Sequence, residues 1–268
     1  MIRPARNALE LVRGKFDNLI HNSTITLTQH TMHGRRVFDI LRFAFRSSFN
    51  KMKYIKDPAE QTTAITDIIL AIVAFGGMLF LYWNLADHNE LWKIIIWSTA
   101  FGLIGLAAVL GAAAHGLVIS RAVHDRLWQL LNMLLALAVS LFVAGVVYDL
   151  WGLSVCLNVL PVMLIAGLGF FGATLLYSGI FFVFIVYEGL ALIFALGAYI
   201  YLAARGELTG ALFMAAGILI SILAAGIQAN KSISLTVIWQ FDHNGIYHIV
   251  QVVGLVLLLI GLRVSQLV

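Results

Sequence analysis

Asn244, His248 and Gln251 stand four and three residues apart in the stretch Phe241-Asp242-His243-Asn244-Gly245-Ile246-Tyr247-His248-Ile249-Val250-Gln251. A helix there puts all three on one face. His243 lies at the mouth of that helix, within reach of the same space. Elsewhere Asp67, His115, Asn132, Glu188 and Gln228 interrupt or border apolar runs. Imidazoles beside carboxylates have few uses. They can bind zinc, with three protein ligands and an activated water at a catalytic site. Two imidazoles can ligate haem iron. Otherwise the groups hydrogen-bond to one another and fix a bundle, at roughly 1 kcal/mol per contact inside a membrane. For a single residue such as His115, near the end of an apolar run, the bland reading is a satisfied interfacial histidine.

The elements that must position these groups are set by composition. The 268 residues are 61% hydrophobic and 11% charged, with a mean hydropathy of +0.95. A soluble domain is nearer half apolar and a quarter charged, which excludes a soluble enzyme and a disordered chain. Cys156 is the one cysteine, so there is no disulfide framework. The fold class expected is an all-α integral membrane protein, a bundle of seven transmembrane helices. The hydrophobic windows fall near 63–83, 92–119, 127–148, 153–176, 179–203, 209–228 and 245–266, each long enough to span a bilayer. Six is the rival count, if two windows merge or one is re-entrant. Alternating direction places Asp67, His115, Asn132, Glu188, Gln228 and the 242–251 segment at one level, in the inner half. Ionisable groups inside a span are costly and usually face the bundle interior, so convergence on one chamber is expected.

Charge divides the chain into two parts, a basic arm (1–60) and the apolar body (61–268). The arm holds eleven of the seventeen Lys and Arg. It lacks a secretory h-region, so no signal peptide is expected. Its Arg, Ser and Thr are those of a mitochondrial targeting segment, although its five acids speak against one. Phe38, Leu41, Phe45, Phe49 and Met52 recur at helical spacing beside a polar stripe of Asp39, Arg42, Arg46, Asn50 and Lys53. A helix near 35–55 is therefore expected to lie on membrane lipids or to pack on a partner. Positive charge at the arm, Arg121, Arg126 and Lys231 outweighs Lys93, Arg205 and Arg263 opposite. That places the N-terminus on the cytoplasmic or matrix side of a bacterial or mitochondrial inner membrane. The glycosylation patterns at Asn22 and Asn230 would then face inward, unused.

The 241–251 stretch, with Ala113-Ala114-His115-Gly116, resembles an uncharacterised group of bacterial seven-helix membrane proteins. That group is similar to the superfamily of alkaline ceramidases, progestin and adipoQ receptors and Per1-like proteins. The resemblance covers the body, not the arm. It implies a zinc site near the cytoplasmic face, used by hydrolytic members to cleave lipid amides. His115 matches the histidine ending the second span, and His248 the second of two histidines opening the seventh. Asn244 stands where the first would be, with His243 beside it; Gly111 stands in place of a serine, and Asp125 lies just ahead of the third span. Asn is a poor zinc ligand.

Other classes find less support. A retinal pigment needs a lysine in the last span, and the nearest is Lys231. The glycines of the second and seventh spans read as close-packing sites. No phosphate loop, nucleophile elbow or metalloprotease motif is present, and no nucleic-acid partner is expected. Two functions remain expected. The first is an integral membrane subunit of a larger complex, contacting other subunits through residues 1–60. The alternative is a zinc-dependent lipid hydrolase. It would use His115, His248 and His243 as ligands and Asp67 or Glu188 in acid–base roles, beside a polar cluster of Asn132, Gln228, Asn244 and Gln251.

Overall fold

The computed structural model describes residues 53–83, 90–176 and 181–265. Residues 1–52, and with them nearly all of the helix expected at 35–55, lie outside the described residues. The last positions of that stretch are described, and they are extended rather than helical. Tyr54 bridges Leu117, and Ile55 N–H donates to the Gly116 carbonyl at 3.0 Å. Pro58 explains the switch. It disfavours helix at the residue before it, and its fixed φ suits the first helical position. Asp57 caps the helix that follows, accepting from the Ala59 N–H at 2.9 Å.

Six helices follow. They are α1 (Pro58–Trp83), α2 (Leu91–Gly116), α3 (Arg121–Leu176), α4 (Phe181–Arg205), α5 (Ala211–Ala229) and α6 (His243–Ser265). Among the described residues all six are long and apolar enough to cross a membrane. Their outer faces are bare hydrocarbon: Ile65, Ile72, Leu190, Ile193 and Leu212 are more than half exposed. The 229–244 connection, read as a loop from the sequence, contains a hairpin of β1 (Ser234–Thr236) and β2 (Gln240–Asp242), paired antiparallel.

The third and fourth windows lie within α3 as two helical limbs, joined at a single non-helical residue, Gly152, rather than by a longer loop. At 1.5 Å per residue a straight helix of 56 residues would measure roughly 84 Å, far beyond a bilayer. α3 is not straight. Gly152 takes φ 78°, ψ −179°, a conformation open essentially to glycine alone. The two limbs fold back on each other from there. Cys156 Sγ donates to the Ala144 carbonyl at 3.2 Å, and Ser140 Oγ lies 2.8 Å from the Met163 carbonyl. Further from the bend, a Cβ on Gly167 would collide with Ser140 and the Ala136 backbone. These pairs, 144 with 156, 140 with 163 and 136 with 167, are the register of an antiparallel helical hairpin.

The helix ends fall into two levels. At one, Tyr54 meets Leu117 and Thr63 Oγ1 donates to Asp242 Oδ1 at 2.8 Å. At the other, Lys93 Nζ lies 2.8 Å from Asp149 Oδ1, and Tyr199 OH donates to Asp149 Oδ2 at 2.8 Å. Between them runs an apolar core that includes Leu81, Ile94, Phe101, Met214 and Leu262. Helices α5 and α6 pack backbone to backbone: a Cβ on Gly217 would sit 2.8 Å from the Gly254 carbonyl. The close-packing role read for Gly254 from the sequence has that basis.

Candidate functional site

A cavity of ≈ 140 Å³ lies inside the bundle, and every one of the six helices lends it a polar side chain. Asp67 comes from α1, His115 from α2, Asn132 from α3, Glu188 from α4, Gln228 and Ser221 from α5, and Asn244, His248 and Gln251 from α6. The polar residues singled out in the sequence therefore share one chamber, except Asp242 and His243. Its wall is otherwise apolar, with Leu70, Ile104, Ala108, Leu135 and Phe142 among the lining residues.

The chamber is tied together by an α1–α6 link. His248 is 7% exposed and Asp67 3%. Thr66 Oγ1 donates to the Thr63 carbonyl at 2.9 Å and lies 3.1 Å from His248 Nδ1. Because a hydroxyl has one proton to give, this pattern makes Nδ1–H the donor to Thr66. Nε2 then faces Asp67 Oδ1 at 3.2 Å, with one proton between the two residues. Gly111 of α2 makes room for this pair. A Cβ there would stand 2.8 Å from Asp67 Oδ2 and 2.9 Å from Oδ1, so the carboxylate occupies the space a side chain at 111 would take.

Two other groups close the polar end. His115 Nδ1 lies 2.7 Å from Glu60 Oε2, and its ring packs edge-on to Trp128. The ring nitrogen of His115 is thus paired with a carboxylate. Asp242 caps α6: Oδ1 accepts from Gly245 N–H at 2.8 Å and from Thr63 Oγ1. Partial burial would raise its carboxyl pKa. These two hydrogen bonds, with the nearby His243 and His115, outweigh burial and hold it below the ordinary 3.8.

The zinc site implied by the resemblance does not fit this donor set. Among the described residues no group of three or more His, Cys, Asp or Glu is placed to hold a metal ion. His248 has both ring nitrogens engaged, with Thr66 and Asp67. His115 turns to Glu60, and His243 lies beside Asp242 at 4.0 Å, outside the chamber lining. Asn244 does not replace a ligand; its amide points to Asp242 Oδ2 at 3.4 Å.

Sequence reasoning missed several participants. Glu60 was assigned to the arm, yet it partners His115 from the first turn of α1. Thr63 lies one helical turn before Asp67, and that spacing was the available signal for it; Thr66 is the neighbouring residue and had none. Ser221 and Tyr247, also in the lining, carried no charge to mark them. The far end holds a buried polar group that the charge count misread. Lys93 is 1% exposed, held by Asp149 and by Glu90 Oε2 at 3.4 Å. It is a bundle brace rather than a flanking surface charge.

The family model for DUF6962, a family of unknown function, matches residues 62–266. The match takes in the whole bundle, and the chain belongs to that family. No curated protein and no solved structure matches it.

Proposed function

We propose that this family member is an integral membrane protein whose helix bundle binds a small polar molecule in the chamber. The observation that carries the reading is the meeting of polar side chains from all six helices at one cavity. Polar groups at membrane depth are costly, and a bundle needing only packing would fill this space with hydrocarbon. The reading counts α3 as two crossings, since its limbs reverse at Gly152, which gives seven in all. The N-terminus lies on the cytoplasmic or matrix side of an inner membrane. Arg121, Arg126 and Lys231 support that orientation, all the more because Lys93 is neutralised by its partners. The chamber then lies beneath the inner leaflet.

Filling the cavity tests the reading. Ala138 lines it and is 3% exposed. A small molecule extracted from the purified wild-type chain, and absent from Ala138→Phe, is the expected result. An identical extract from both proteins removes the binding role. For topology, cysteines introduced at Ser120 and Glu207 should label from opposite sides of intact membranes.

A second proposal concerns the arm. Eleven Lys and Arg within residues 1–60 support contact with anionic lipid or with other membrane subunits. Co-purifying subunits that are lost when 1–52 is deleted are expected. A lone chain with a protease-sensitive arm speaks against this. The resemblance to the ceramidase-containing superfamily rests on His115 and His248, and the observed donor set lends a zinc hydrolase no support.

A further inference from the structure

Five buried side-chain polar atoms lack a hydrogen-bond partner among the described residues: Asp67 Oδ2, Trp97 Nε1, Asp149 Oδ1, Glu188 Oε2 and Gln251 Oε1. Asp149 Oδ1 has the Lys93 ammonium at 2.8 Å, and Trp97 is not among the residues that line the chamber. The other three belong to residues that line the chamber. All three can accept a hydrogen bond, the two carboxyl oxygens as pure acceptors when ionised. Native proteins rarely leave buried polar groups unpaired, so three on one cavity call for a donor-rich occupant.

Two of the three are oriented by neighbours. Gln251 Nε2 donates to Ser221 Oγ at 3.1 Å, and Ser221 in turn donates to the Gly217 carbonyl. That chain leaves the amide oxygen of Gln251 free. Asp67 has Oδ1 committed to His248, which leaves Oδ2. Glu188 brings a second carboxyl from the opposite side of the bundle. No lysine or arginine lines the cavity; His248 shares a proton with Asp67, which leaves Glu188 as the acid without a countercharge. A buried carboxylate is stable only with a countercharge and hydrogen bonds. An ammonium group supplies both, with three N–H donors for three oxygens.

The rest of the cavity sets size and shape. A cavity of about 150 Å³ lined by hydrocarbon holds benzene, and this one is ≈ 140 Å³. Its occupant therefore has roughly six to eight heavy atoms. Polar residues crowd the end near His115, Gln228 and Asn244, and apolar ones (Ile104, Phe142, Leu258) lie further along their helices. Resting on the chamber-binding reading above, we infer that the chamber binds a small organic cation: a primary ammonium, held by Asp67, Glu188 and Gln251, on a short hydrocarbon body.

The test uses the full chain in lipid nanodiscs and three probes of nearly one shape: cyclohexylmethylamine, cyclohexylmethanol and cyclohexanecarboxylate. The amine should raise the unfolding temperature saturably at pH 7, and the alcohol and the acid should not. Glu188→Gln, nearly isosteric, should weaken amine binding at least tenfold. Gln251→Met should weaken it less, and serves as the second variant because it leaves both acids in place. Equal or tighter binding of the alcohol or the acid overturns the cation assignment but leaves a binding chamber standing. No binding of any probe also overturns it; the Ala138→Phe extraction then decides separately whether the chamber binds anything. Undiminished amine binding in Glu188→Gln places the amine elsewhere and overturns it too.

Discussion

His248 Nε2 stands 3.2 Å from Asp67 Oδ1 and so joins the first helix of the bundle to the last. These positions are far apart in the chain, and both are almost wholly buried. Removing one partner leaves the other buried and unmatched, at about 1–3 kcal/mol. His248→Ala is expected to lower stability by about that amount, and Asp67→Asn by less, since an amide still donates to Nε2. The double variant should lose less than the two singles added together. A double-mutant cycle of unfolding in detergent micelles measures this, and strict additivity would mean the two side chains do not interact.

Gly111 should be intolerant of even one carbon. Its Cβ position lies within 3 Å of the Asp67 carboxylate, so Gly111→Ala must displace that group or the helix. Overpacking of this kind costs about 1–3 kcal/mol. In an Asp67→Ala background the same substitution should cost markedly less, because the obstructing oxygens are gone. Comparing the unfolding temperatures of the four proteins separates this from a general effect of glycine on helix formation, which would be unchanged in both backgrounds.

The brace at the far end should behave differently from the chamber. Lys93→Met leaves Asp149 buried without its cation, a change that typically costs about 3–5 kcal/mol. Combining Lys93→Met with Asp149→Leu replaces the ion pair with hydrocarbon and should restore most of the loss. Chamber ligand binding should be unaffected in the double variant. A double variant less stable than Lys93→Met would show that Asp149 contributes through Tyr199 rather than through Lys93.

Asp242 gives the bundle an acid-sensitive joint outside the spans. Its folded pKa lies below the unfolded 3.8. The stabilisation it brings is therefore complete above about pH 5 and is lost as pH falls through the depressed folded value. Asp242→Ala removes an N-cap, worth about 1 kcal/mol, and the loss should appear at neutral pH but vanish in strong acid. Unfolding followed from pH 7 to 2 for both proteins checks the sign. A difference that grew on acidification would reverse the assignment.

What the sequence made legible was the depth of each polar group. Hydropathy located the windows, alternating direction sorted Asp67, His115, Asn132, Glu188 and Gln228 to one level, and the cavity gathers them there. Hydropathy has no means of choosing partners at that level. His115 and His248 look equivalent in a list of histidines. Their neighbours separate them: Glu60, about two turns before Asp67, claims one, and Thr66 with Asp67 claims the other. The Lys93–Asp149 pair was hidden for a related reason, since each sat near a window end and passed for a boundary charge. The break between the windows ending at 148 and starting at 153, by contrast, was legible, and Gly152, where the limbs reverse, stands in it.

That single-residue reversal bears on how the protein can be cut, tagged or lengthened. Gly152 joins the limbs of α3 with no slack, and Cys156 already meets Ala144 four residues beyond it. Extra residues spliced between 150 and 154 would slide one limb past the other and pull Ser140 off the Met163 carbonyl. The Gly206–Gly210 turn, where both glycines have positive φ and Glu207 is exposed, offers an engineer a surface site on the same side of the molecule.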